Sequence, residues 1–265
     1  MKRLQPIGAL LALLLFLTGC AAEPVPTEAQ QQPPVTAPAE TPEPVEEPPA
    51  EPDEEPEIME PEIVEPEPEP LEPGFHEEGG GLYYVQEDGT LLTDGSLGYL
   101  DFDSEGRYTT GNADLDAGIQ ALLAAACPDP TADRETRLRE AYVYIRENFR
   151  YLSMPHYEAG STDWAETAAT AMLDQGKGNC YCFTALFTYC ARQLGYQAYN
   201  VAGHEYSRDN DHAWTMIDWP DGETYLFDVQ LEYAYLYQYE NKPVIDMFKA
   251  SGSDGIYNGF VYFFP

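Results

Sequence analysis

The sequence predicts an α+β fold in which a helix with a cysteine in its first turn packs on an antiparallel sheet, and three observations point to it. In Gly176–Gly203 the apolar residues Phe183, Leu186, Phe187, Cys190 and Leu194 recur at helical spacing, and Gly195 stands where a left-handed C-terminal cap belongs. Downstream, HAWTMIDW and TYLFDV read as two strands joined by the turn chemistry of Asp218-Trp219-Pro220-Asp221-Gly222. Upstream, two helical stripes and a third helix opened by a capping box precede the cysteine helix.

The elements follow in chain order. Residues 1–20 read as a targeting segment: Met1-Lys2-Arg3 is positive, and the apolar run from Ile7 to Leu17 is too short to span a bilayer comfortably. Leu17-Thr18-Gly19-Cys20 resembles a bacterial lipobox. That resemblance implies a signal peptide over 1–19 and lipidation at Cys20, and hence an extracytoplasmic chain anchored to the bacterial cell membrane. From residue 20 to 73 runs a disordered tether: residues 21–73 hold 17 acidic side chains, 16 prolines and no lysine or arginine. Such a composition forms no core, and with proline extending it the tether has a contour of roughly 160 Å.

Residues 74–111 carry a diffuse repeat, LYYVQEDGTLLTDG and LGYLDFDSEGRYTTG, with Gly89 and Gly106 at matching turn positions. Each copy reads as a short hairpin. Aromatic-glycine hairpins of this kind resemble cell-wall-binding or choline-binding repeats; the plainer reading is a β cap on the domain over 112–265. That domain opens with a helix from Asn112 to Ala126, with Leu115, Ile119, Leu122, Leu123 and Ala126 on one face and Cys127-Pro128 as its stop. A second runs from about Asp133 to Phe149 with Leu138, Ala141, Tyr142, Ile145 and Phe149 as its stripe. Asp163-x-x-Glu166 reads as a capping box opening a third helix through Leu173. Beyond Asp228, the alternation of Tyr233, Tyr235, Tyr237 and Tyr239 reads as a strand lining one face.

The chemistry centres on Cys180, because the first turn of a helix gathers unpaired N–H groups and the positive end of the macrodipole, both of which favour thiolate over thiol. A hairpin whose turn is centred on Pro220 sets His212 directly opposite Asp228, close enough for the carboxylate to hold the imidazole. A two-residue turn on Asp221-Gly222 would shift that pairing.

With Gly-x-Cys at a helix start, then His-Ala-Trp, then a strand-borne aspartate, the stretch from about Thr131 to Val229 resembles the transglutaminase-like family of the papain-like cysteine enzyme superfamily. The resemblance implies that Cys180 is the nucleophile, His212 the base and Asp228 the orienting acid. Gly178, Phe183, Gly195, Gly203, Ala213 and Trp214 fit the surrounding pattern. The family usually continues its aspartate with proline, where Val229 stands here. A papain-like domain acting on amide bonds of peptides, proteins or cell-wall peptides is implied, through a thioester that water or an amine resolves, with neither cofactor nor metal. The backbone N–H of Cys180 forms part of the oxyanion hole, and the side chain of Trp164 or Tyr181 is a candidate second donor.

A different class remains open: a non-catalytic surface module that binds wall or protein ligands through the hairpins. Zinc binding by Cys180-x-Cys182 with His204 or His212 has ligand spacing too tight for such sites. Cys182 pairs with Cys127 or stays free, Cys190 reads as a core residue, and His76, His156 and His204 read as ordinary surface or loop residues. Residues 74–265 hold 30 acidic and 11 basic side chains. That balance argues against nucleic acid as a partner, repels anionic membrane surfaces and draws cationic or amine-bearing substrates. A monomer is expected.

Overall fold

The computed structural model describes residues 71–129, 131–158, 160–205, 210–241, 243–251 and 260–261. The targeting segment, Cys20 and the tether as far as residue 70 lie outside the described residues, as does the glycine-rich stretch 252–259. Two antiparallel strands come first, β1 (Gly74–Glu78) and β2 (Gly81–Val85), followed by a three-stranded sheet of β3 (Gly95–Leu97), β4 (Leu100–Phe102) and β5 (Tyr108–Thr109). The sequence repeat appears as two equivalent turns. Gln86 N–H donates to Thr90 O and Gly89 N–H to Gln86 O at 2.8 and 2.9 Å; one repeat on, Asp103 N–H donates to Arg107 O and Gly106 N–H to Asp103 O at 2.9 and 3.0 Å. Gly89 and Gly106 have φ of 82° and 78°, which a side chain would strain.

Next come α1 (Ala113–Ala126), α2 (Arg134–Asn148), β6 (Arg150–Tyr151), α3 (Ala165–Gln175), β7 (Lys177–Gly178), which pairs parallel with β6, and α4 (Cys180–Gln193). Asn112 caps α1 by accepting from the N–H groups of Asp114 and Leu115, and Asp133 caps α2 by accepting from Thr136 N–H. The expected capping box on α3 does not form. Its N-cap is Trp164, whose side chain makes no capping bond, and Glu166 instead accepts from Asn112 Nδ2 at 2.8 Å, tying the start of α3 to that of α1. A donor on another helix has replaced the local one.

The main sheet runs β10-β9-β8-β11, all antiparallel: β8 (Gln197–Glu205), β9 (Asn210–Asp218), β10 (Thr224–Phe227) and, after α5 (Val229–Tyr237), β11 (Phe260–Val261), which meets β8 at His204 and Glu205. The helix α5 overturns the strand expected across the alternating tyrosines. Tyr233 and Tyr237, and Tyr235 and Tyr239, are one-turn neighbours with ring centroids 5.2 and 5.4 Å apart. Asp228 accepts from Leu231 N–H at 2.8 Å, and that cap, with the burial of Leu231 and Ala234, outweighs the strand tendency of tyrosine.

α4 sits between the other helices and the sheet. The sequence shows one apolar stripe on it, whereas the structure buries every residue of the helix but Arg192. Phe183, Leu186 and Phe187 pack with Leu138, Tyr142, Met172, Ile217 and Phe227. Polar residues on its other flank are matched: the Thr188 and Thr215 hydroxyls lie 2.9 Å apart, and Thr215 also reaches the Thr184 carbonyl at 3.3 Å. Each large apolar side chain so buried contributes about 1.5–3 kcal/mol, so the helix is fixed against the sheet and Cys180 with it. Among the described residues no helix is long and apolar enough to cross a membrane.

Candidate active site

β7 delivers the chain to Cys180 through Gly178 and Asn179. A Cβ at position 178 would lie 2.4 Å from Cys182 Cβ and 2.6 Å from its Sγ, so the glycine lets β7 touch the first turn of α4. Asn179 is fully buried as the N-cap: Oδ1 accepts from Cys182 N–H at 3.3 Å, and Nδ2 donates to the Pro155 carbonyl at 3.3 Å. Cys180 is the first residue of the helix and is 3% exposed. A helix start leaves its first N–H groups without intrahelical acceptors, and Cys180 and Tyr181 supply two of them.

His212 lies on β9 opposite Gly203 of β8, where only 7% of it is exposed. Its Nε2 meets Asp228 Oδ2 at 2.6 Å, and the ring also hydrogen-bonds Cys180, for which Nδ1 is the remaining nitrogen. Burial is the largest single influence on this histidine and opposes its charged form. The charge and hydrogen bond of Asp228, joined by the contact with Cys180, overcome it and hold His212 protonated well above the ordinary histidine range.

Asp228 reaches His212 by a different register from a hairpin centred on Pro220. β9 and β10 pair Asp218 with Thr224 and Thr215 with Phe227, across a three-residue turn of Pro220, Asp221 and Gly222 closed by Trp219 N–H to the Glu223 carbonyl at 2.8 Å, in which Gly222 has φ of 88°. Neither the hairpin centred on Pro220 nor the two-residue turn on Asp221-Gly222 forms. Continued by one residue, that register sets Asp228 opposite Trp214, one pair along on the same face as His212. Diagonal neighbours on one face still meet through long side chains, so the carboxylate arrives although the direct pairing does not form.

The two oxygens of Asp228 do different work: Oδ2 holds His212, and Oδ1 caps α5. Val229 is the first helical residue, where proline is favoured for its preset φ but valine also fits. A buried network stands behind the aspartate. Tyr142 Oη lies 2.9 Å from both the Asp228 carbonyl and Glu232 Oε2; Asp228 N–H donates to Met247 O at 3.1 Å and Met247 N–H to Glu232 Oε2 at 2.9 Å. Arg146 pairs with Glu232 Oε1, so this buried acid is matched on both oxygens. Sequence reading missed Asn179, Tyr142 and Glu232. An asparagine just before Cys180 and a glutamate one turn past Asp228 were the available signals, whereas a tyrosine in an apolar stripe reads as packing.

Trp164 does not serve as the oxyanion donor expected of it. Its Nε1–H donates to the Ser161 carbonyl at 2.6 Å, and its ring stacks on Tyr157 and meets Tyr181 edge-on. Tyr181 likewise donates its hydroxyl to the Tyr157 carbonyl at 3.2 Å. Both side chains instead fasten the 152–158 loop against the start of α4. His204 Nδ1 is 2.8 Å from Asp211, the residue before His212, and His156 Nδ1 is 3.9 Å from the same carboxylate. All four described cysteines are free, so Cys182 does not pair with Cys127. Burial pushes the thiols of Cys182 and Cys190 up. Among the described residues no group of three His, Cys, Asp or Glu could hold a metal ion.

With a cysteine at a helix start, a strand histidine and an aspartate in one hydrogen-bonded row, comparison with known proteins becomes informative. Residues 122–228 match the family described as the transglutaminase-like superfamily. This segment is transglutaminase-like. The α+β fold built from α4, β8, β9 and β10 is accordingly a transglutaminase-like one. No curated protein matches the chain in sequence. Similar solved structures include one described as a TGase, at 16% identity and TM-score 0.35 over 49% of this chain and 34% of that one. A putative cysteine protease from Cytophaga hutchinsonii is similar at 18% identity and TM-score 0.35, over 57% of this chain and 46% of that one. The periplasmic domain of TgpA from Pseudomonas aeruginosa, bound to ethylmercury, is similar at 17% identity and TM-score 0.30, over 44% of each chain. The matches span less than half the length of each of these three structures.

Proposed function

We propose that the chain is a cysteine-dependent enzyme that transfers the acyl group of an amide through a thioester on Cys180. The observation that carries this reading is the continuous row of hydrogen bonds from Cys180 through His212 to Asp228, each residue held by a different element. Cys180 Sγ attacks the substrate carbonyl carbon while His212 holds the thiol proton, and the carbonyl electron pair moves onto oxygen beside the N–H groups that open α4. As the tetrahedral species collapses, the C–N bond breaks and His212 gives its proton to the departing nitrogen. The thioester remains. Water or a primary amine then attacks it, loses a proton to His212 and expels the Cys180 thiolate.

The substrates we assign are peptides, proteins or cell-wall peptides met outside the cytoplasm by a chain anchored at Cys20. The acidity of residues 74–265 favours approach of an amine-bearing acceptor. The test is a peptide mixture containing glutamine and lysine side chains, incubated with the chain, with and without a small primary amine or hydroxylamine. Cys180-dependent appearance of free acid, amine adduct or hydroxamate is expected. Identical peptide profiles from the wild-type chain and Cys180→Ala would overturn the proposal.

A further inference from the structure

Away from Cys180, a cavity of about 370 Å³ opens between the β3–β4 turn, the start of α3, the far end of α4 and the edge of β8. That volume falls in the small-ligand range of roughly 300–1,000 Å³. Tyr99, Thr162, Tyr189, Arg192, Tyr199 and Asn200 line it. Tyr99 and Tyr199 stack with centroids 5.0 Å apart, and the Arg192 guanidinium lies 5.5 Å from the ring centroids of both Tyr99 and Tyr189. Arg192 Nε donates to the Ala198 carbonyl at 2.7 Å, which holds the cation in place.

Asn200 is the telling residue. It is only 5% exposed, and among the described residues its Oδ1 has no hydrogen-bond partner. A buried acceptor left unmatched costs about 1–3 kcal/mol, a cost that a bound donor would remove. The occupant must therefore give a donor to Asn200, offer an acceptor to Arg192 and lay an apolar face on tyrosine rings. An ionised carboxylate lacks the donor, and a phosphate lacks the apolar face. A quaternary ammonium, which tyrosine rings would otherwise attract, is repelled by Arg192. A sugar ring carries all three features, with hydroxyl or acetamido groups at its rim and C–H groups on its face.

We infer that this cavity is a saccharide-binding site, which goes beyond the acyl-transfer proposal and does not depend on it. Its position also suits a ligand longer than one sugar. Tyr189 lies nine positions past Cys180 along α4, about 13 Å at about 1.5 Å per residue, and Thr162 continues the loop whose Pro155 and Tyr157 carbonyls accept from Asn179 and Tyr181.

The experiment uses the full chain carrying Cys180→Ser, so that binding is read without turnover. Isothermal calorimetry with a β-1,4-linked N-acetylglucosamine tetramer, a β-1,4-linked glucose tetramer and an oligogalacturonate distinguishes acetamido, neutral and anionic sugars. Saturable binding of at least one is expected, weakened about tenfold or more by Tyr99→Ala and by Asn200→Leu. Tyr99 is 44% exposed, so its variant tests the site without disturbing the core. Asn200→Leu should also melt no lower than the parent, because it removes an unmatched acceptor. Failure of all three sugars to bind, or binding unchanged in both variants, would overturn the inference, as would a lower melting temperature for Asn200→Leu, which would make Asn200 a support of the fold.

Discussion

Replacing Asp228 separates the two jobs of its carboxylate. Asparagine caps helices about as well as aspartate, so Asp228→Asn keeps the bond to Leu231 N–H and presents its amide nitrogen to His212. The charged hydrogen bond at 2.6 Å is lost, a contribution of about 1.5–3 kcal/mol. Asp228→Ala loses that and the cap, for about 1 kcal/mol more. The pH dependence has a definite sign. Because His212 binds its proton more tightly folded than unfolded, its contribution is fully present below the unfolded value of about 6.5 and is lost as pH rises through the raised folded value. The gap between the wild-type chain and Asp228→Asn is therefore widest in acid and narrows in alkali. Catalysis suffers more than stability: an amide N–H facing Nε2 forces the ring proton onto Nδ1, where it cannot accept from Cys180, and turnover falls by up to about 10⁴. Urea denaturation of the three proteins across pH, followed by tryptophan fluorescence, reads the stability terms. Equal stabilities for the asparagine and alanine variants, or a gap that does not change with pH, would refute this division of labour.

Three further outcomes follow from the same packing. Gly178→Ala should cost about 1–3 kcal/mol by overpacking, seen in the denaturation midpoint, and Cys182→Ala should not rescue it because the shortest contact is to Cys182 Cβ. Tyr142→Phe removes the hydroxyl shared by the Asp228 carbonyl and Glu232 and should lower stability by about 1–3 kcal/mol with the fold kept by circular dichroism; no loss would mean the network does not support Asp228. Metabolic labelling with a fatty acid should mark the wild-type chain and spare Cys20→Ala, and equal label in both would remove the anchoring proposal.

What could be read from sequence was whatever depends on local spacing. The stripe from Phe183 to Leu194 and the stop at Gly195 mark α4, because helix period and a left-handed cap are properties of neighbouring residues. Gly-x-Cys carries its own reason in the contact of Gly178 with Cys182. Asp228 could be placed on the face of His212 but not in its register, since a side-chain period of two is insensitive to the two-residue shift between a hairpin centred on Pro220 and the observed one centred on Asp221. The tyrosines after Asp228 were misleading: alternation at period two is a strand signal, yet the aspartate before them caps a helix, and that competition is decided by what Asp228 meets in three dimensions. Trp164 failed as a donor for the same reason, because the carbonyl its indole finds belongs to a loop whose path the sequence does not spell out. Glu232, matched by Tyr142, Arg146 and Met247, needs three separate segments before its role is visible.

The most direct test is the order in which the cysteines react. Dilute iodoacetamide at about pH 6 alkylates a thiol in proportion to its thiolate, and peptide mapping by mass spectrometry reads each site. The account predicts that Cys180 is marked first, with Cys182 and Cys190, their thiols held up by burial, far behind. His212→Ala should slow Cys180 strongly, and Asp228→Asn should slow it less. Labelling of Cys182 before Cys180, or a Cys180 rate no faster than that of the urea-denatured chain, would contradict the claim that Cys180 is the nucleophile.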